Sequence, residues 1–185
     1  MNENKTVEQY FDLFILPLRR GSNIDIELAN DFIQCIFNNA TKGIVQKNMA
    51  AKLYYFYSTY LSALSKKNSK EKTKFEEDFY FINDKLFLKT KNDIDIKEEL
   101  VSSEERVNRI KQIVRDNILA LEVDEGVSMQ SLLKILYVYY VIERIITNEV
   151  SANPYDLINK DDPFLIVSSE ITETLDKILD LETNI

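Results

Sequence analysis

The chain reads as a mainly α protein, a single-domain helical bundle with a small β-hairpin near residues 79–88. Three observations predict this. Apolar side chains recur at helical spacing along most of the 185 residues, 45% of the residues are hydrophobic, and ten Tyr and ten Phe give large packing surfaces. A chain of this length is expected to form one domain, residues 1–185, with a sizeable core.

The first helix is predicted over 6–16, where Val7, Tyr10, Phe11, Phe14 and Ile15 share a face. Pro17 is expected to disturb its end, and Gly21 marks a turn. Residues 24–38 repeat the pattern at Ile24, Leu28, Phe32, Cys35 and Ile36. Cys35 falls on that apolar face and reads as a small core residue. NNATKG at 38–43 is a helix stop and loop, and a strong helix follows over 45–64. There Leu53, Phe56, Tyr57, Tyr60, Leu61 and Leu64 fall on one side, with Tyr54 and Tyr55 widening the apolar surface.

Residues 65–74 are a lysine-rich polar break. FYFI and KLFL, separated by Asn83 and Asp84, then change the period from helix to strand and predict the hairpin, to which Ile94 and Ile96 could add a third strand. Ser102 and Glu105 have capping-box spacing ahead of a helix through Val107, Ile110, Val114, Ile118 and Leu121, which VDEG at 123–126 ends. Ser128 is placed to cap the next helix. Residues 131–146 are apolar on nearly all sides, which fits a central helix, although their β-branched and aromatic content also permits a buried strand. Pro154 and Pro163 each favour the first turn of a short helix, and Ser168 is placed to cap a last helix through Ile171, Leu175, Ile178 and Leu179.

The composition narrows the chemistry. The chain has no histidine, which removes Ser-His-Asp and Cys-His catalysis and histidine-ligated metals. Its scattered glycines form no phosphate cradle. The carboxylate pairs Glu76/Glu77, Glu98/Glu99, Glu104/Glu105 and Asp161/Asp162 are adjacent in sequence, and adjacent helical residues do not share a face. The expectation is a protein that is not an enzyme and needs no cofactor or metal. The opening MNENKTVEQYF lacks the pattern of a secretory signal, no apolar run reaches the roughly 18 residues of a membrane span, and a single cysteine precludes an internal disulfide, so a cytoplasmic location is expected.

The net charge of −8 is concentrated in residues 149–185, which carry −7 of it. Such a surface does not suit direct nucleic-acid binding. Asp156, Asp161, Asp162, Glu170, Glu173, Asp176, Asp180 and Glu182 are candidate residues for contact with a basic partner, in imitation of nucleic acid, or else a solvated acidic face. Tyr54, Tyr55 and Tyr57 are the candidates for an aromatic partner-binding patch. The helix at 131–146 also admits a structural subunit that completes a homo-oligomer core.

The segment DIELANDFIQCIFNNATKGIVQKNMAAKLYYFYSTYLSAL at 25–64 resembles the opening of the Panacea (SocA-like) antitoxin domain. Ala29, Asn30, Phe32 and Ile33 match its first helix, and Lys52, Leu53, Tyr54, Tyr55, Phe56, Tyr60 and Leu61 its second. FEEDF at 75–79 matches the family's next segment, after which the chain departs, lacking the Trp and the Gly-Pro-Val that follow there; SANPYDLINKDDPF at 151–164 loosely echoes a later one. The resemblance implies a helical domain that neutralises a toxin by direct contact or delivers it to a protease, without catalysis. The partner expected on these grounds is another protein: a toxin, a nuclease or a nucleic-acid-binding protein.

Overall fold

A computed structural model of the chain describes residues 5–20, 22, 25–65, 77, 86–87, 103–124, 126–152 and 163–179. The fold is mainly α, with six helices among the described residues and a small sheet. The backbone groups into two compact units, Met1–Leu88 with Glu125–Val127, and Lys89–Asp124 with Ser128–Ile185.

In the first unit, α1 (Val7–Arg19) starts from a reciprocal cap. The Thr6 hydroxyl accepts from the Gln9 N–H at 3.3 Å, and the Gln9 side chain accepts from the Thr6 N–H at 2.8 Å. Pro17 lies inside the last turn and does not end the helix. It forfeits one backbone hydrogen bond, but so close to the end little helix remains to disrupt. The Arg20 N–H still reaches the Leu16 carbonyl at 3.2 Å, and Ser22 N–H the Pro17 carbonyl at 2.9 Å.

Asp25 caps α2 (Ile26–Asn39), its carboxylate accepting from the N–H groups of Glu27 and Leu28 at 2.9 and 3.2 Å. Ala29, Phe32, Ile33 and Ile36 are buried on its inner face. A two-residue turn follows. Lys42 and Gly43 both have positive φ, 53° and 79°, while Thr41 and Ile44 exchange N–H to carbonyl hydrogen bonds at 2.8 and 2.9 Å. This leads into β1 (Ile44–Val45) and α3 (Lys47–Ser65).

The helices α1, α2 and α3 pack on one another around an aromatic core. Phe32 meets Phe56 edge-on at 5.4 Å between ring centroids, Phe11 lies 6.4 Å from Phe32, and Phe56 meets Tyr60 at 5.8 Å. Ala29 and Ala50 are fully buried, where small side chains let α2 and α3 sit close to their neighbours.

The second unit contains α4 (Ser103–Leu119), α5 (Met129–Ala152) and α6 (Pro163–Ile178), each in contact with the other two. Val107, Ile110, Ile113 and Val114 are the buried stripe of α4. The apolar segment 131–146 is helical: Leu132, Ile135, Leu136, Val138 and Ile142 are completely buried, and the Ser128 hydroxyl accepts from the Ser131 N–H at 3.4 Å at its start. Pro163 opens α6 at its first position, as proline's fixed φ favours. Ser168 does not cap a helix; it is buried within α6, whose apolar stripe already begins at Val167 and continues through Ile171 and Leu175.

Three short strands, β1, β2 (Glu122–Val123) and β3 (Gly126–Ser128), make the small antiparallel sheet, in which β1 pairs with β3. The sheet is not where the period change at 79–88 predicts strands. Leu86 and Phe87 have helical backbone and are buried, Phe87 packing edge-on against Tyr57 at 5.5 Å; 79–85, Leu88, Ile94 and Ile96 lie outside the described residues, as do Ser102 and Pro154. Leu86 and Phe87 are thus used for core packing. No helix among the described residues is long and apolar enough to cross a membrane.

Gly126 is the tightest point of the sheet. Its φ is +157°, and a Cβ there would lie 2.3 Å from the Val45 carbonyl oxygen. Gly126→Ala is expected to destabilise the fold by about 2 to 3 kcal/mol, through backbone strain and steric conflict. Asp25→Ala is expected to cost about 1 kcal/mol through the lost cap. Urea denaturation checks both, with a lowered midpoint at unchanged slope as the expected result.

Candidate binding groove

The buried positions of α2 turn its remaining residues outward. Asp31, Gln34, Cys35 and Asn38 are spaced i, i+3, i+4 and i+7, so they form one row along the outer side of the helix. The start of α1 runs beside this row, held by its cap and by the burial of Val7. Between them lies a groove of about 670 Å³, lined by Lys5–Glu8 and Tyr10 from α1 and its cap, Asp31, Gln34, Cys35, Asn38 and Asn39 from α2, and Met49 from α3. That volume is within the range of small-molecule and peptide side-chain sites.

The groove is polar at its rim and tied at its base. The Cys35 thiol donates to the Lys5 carbonyl at 3.8 Å, and the Asn39 amide donates to the Cys35 carbonyl at 2.7 Å. The Lys5 ammonium lies over the Tyr10 ring, 5.7 Å from its centroid. Glu8 is paired with Lys52 at 3.6 Å. Among the described residues, no hydrogen bond or ion pair engages the side chains of Asp31, Gln34 or Asn38.

Burial, and secondarily the charge of Glu8, pushes the Cys35 thiol above its ordinary range. Burial, then the charges of Asp31 and Cys35, does the same to the Tyr10 phenol. Both groups therefore keep their protons at neutral pH, so Cys35 is not poised as a thiolate nucleophile. What the groove offers is hydrogen-bond donors and acceptors, one unengaged carboxylate and an aromatic face. Among the described residues, no three cysteine or carboxylate side chains converge in a way that could hold a metal ion.

The structure distributes the sequence candidates differently. Tyr54 and Tyr57 are 3% and 0% exposed, so they are core residues and form no surface patch. Helix α3 buries two adjoining rows, Leu53/Phe56/Tyr60 and Tyr54/Tyr57/Leu61, and this consumes most of its circumference. Tyr55 is half-buried, with Phe11 at 5.8 Å and the Arg19 guanidinium 5.0 Å above its ring. Glu170 and Glu173 are exposed on α6 and Asp176 is half-buried; Asp156, Asp161, Asp162, Asp180 and Glu182 lie outside the described residues. Cys35 is half-exposed in the groove, on the margin of the apolar face and not inside the core. Sequence reading missed the groove, although the polar row of α2 and the Thr6–Gln9 capping pair were both signals of it.

No known protein family, curated protein or solved structure matches the chain.

The environment of Cys35 makes a direct prediction. The pH midpoint of its alkylation by iodoacetamide is expected to lie above the ordinary thiol value of about 8.5. Glu8→Gln is expected to lower that midpoint, because removing a negative charge favours the thiolate. An ordinary midpoint that Glu8→Gln leaves unchanged contradicts this electrostatic description.

Proposed function

We propose that the chain is a non-catalytic cytoplasmic protein that works by binding another protein, a toxin, a nuclease or a nucleic-acid-binding protein, and occluding its working surface. The observation that carries this reading is the groove on the first unit, where the Asp31, Gln34 and Asn38 side chains, unengaged among the described residues, lie beside a thiol and a phenol that both stay protonated. Such a surface is suited to holding a ligand and poorly suited to acid/base or nucleophilic chemistry at neutral pH. The missing histidine supports the same reading. So does the resemblance of 25–64 to the Panacea antitoxin domain, since that segment supplies every groove residue from α2 and α3. On this reading the chain is antitoxin-like, of the kind carried by phages and other mobile elements.

A second reading is favoured by the exposed Glu170 and Glu173 on α6, within the segment that holds most of the net negative charge. Here the acidic face imitates nucleic acid and blocks a nucleic-acid-binding protein. A structural role in a homo-oligomer has less support, because the apolar positions that motivate it, such as Leu132, Ile135 and Leu136, are covered within the chain itself.

Capture of partners from native lysate on the tagged chain, washed at low salt and then at about 0.5 M salt, separates the readings. Groove occlusion predicts a partner that is lost when Gln34 and Asn38 are changed to alanine and kept when Glu170 and Glu173 are changed to glutamine. The acidic-mimic reading predicts the opposite, with release by salt.

A further inference from the structure

We propose that the groove between α1 and α2 recognises an extended peptide segment bearing a lysine, whose ammonium takes the place over the Tyr10 ring that Lys5 now occupies. The proposal rests on the reading of the groove as a binding site and names the class of its ligand.

Three observations converge on it. The Tyr10 ring already carries a cation, the Lys5 ammonium at 5.7 Å, and ring faces bind cations through their quadrupole. Lys5 comes from the segment just ahead of α1, so it acts as an internal stand-in that an incoming lysine displaces.

The carboxylates of the groove are unequal. Glu8 is engaged by Lys52 at 3.6 Å, whereas Asp31 has neither a hydrogen bond nor an ion pair among the described residues. Asp31 also acts electrostatically on the Tyr10 phenol, which it helps to raise after burial, so its charge reaches the polar end of that ring. The groove thus offers a cation an aromatic face and an unspent negative charge together.

The spacing of the remaining polar groups fits a peptide backbone. Gln34 and Asn38 are i, i+4 neighbours on α2, so their side chains start about 6 Å apart. An extended chain repeats its outward-facing peptide groups every two residues, about 6.6 Å. Two carboxamides at that separation can each donate to a carbonyl and accept from an N–H of the same extended segment. The row from Asp31 to Asn38 rises about 10 Å along the helix axis, the length of three extended residues.

The test uses the full chain, labelled with nitrogen-15, and three blocked tripeptides: alanine-lysine-alanine and the same peptide with norleucine or glutamate at its centre. The lysine peptide is expected to shift the backbone resonances of Tyr10, Asp31, Gln34 and Asn38 in a saturable way, with the other two much weaker. Asp31→Asn is expected to weaken binding about fivefold, and Lys5→Met to tighten it several-fold by removing the stand-in. Equal binding of the norleucine and lysine peptides overturns the proposal, as does absence of groove shifts with the lysine peptide in the Lys5→Met variant. If a captured partner still depends on Gln34 and Asn38 in either case, the groove remains a binding site and only the ligand class has failed. If neither partner nor peptide responds, the binding reading falls with it.

Discussion

The edge-on contact of Phe32 with Phe56, 5.4 Å between centroids, is the constraint on which the first unit depends. It joins α2 to α3 near the middle of both helices. Phe11 brings α1 onto the same cluster, and Tyr60 extends it along α3. Once Phe32 is fixed inward, the 3.6-residue period leaves no choice about the rest of α2. Ala29, Ile33 and Ile36 follow it into the core, and Asp31, Gln34 and Asn38 are turned out. The outward row of the groove is therefore a by-product of core packing.

The same arrangement accounts for the electrostatics at the base of the groove. The capping box of α1 places Lys5 and Thr6 beside α2, which partly buries Cys35 and sets Glu8 near it. Both effects act against the thiolate. A site that merely happened to contain a cysteine could have either sign of shift; here burial and charge agree. The result is a half-exposed thiol kept in its neutral form, among carboxamides that do not ionise at all.

Helical structure was legible in the sequence because apolar spacing alone carries it. Val7, Phe32, Phe56, Ile110 and Ile171, one from each predicted stripe, are all buried. The helix at 131–146 was ambiguous because a segment that is apolar on nearly all sides has no polar face to reveal its period. The described strands β1 to β3 were not legible in the sequence for a physical reason. Two- and three-residue strands are too short to show alternation, and the one at 126–128 is set by a glycine that approaches Val45, a tertiary event. Ser168 misled because a serine within a helix and a serine at its cap look alike until the apolar stripe ahead of it is counted. The tyrosines of α3 misled similarly. A sequence shows that a helix has a wide apolar surface, but not how many neighbours cover it. Of the groove, the polar row of α2 was legible, whereas its pairing with the start of α1 required the fold.

The central claim, that the Phe32–Phe56 contact organises the first unit, is tested most directly by a double-mutant cycle. Phe32→Leu, Phe56→Leu and the double variant would be compared with the unaltered chain by urea denaturation. A coupling energy of about 0.5 to 1.5 kcal/mol is expected for an edge-on aromatic pair. Strict additivity of the two substitutions would contradict the account.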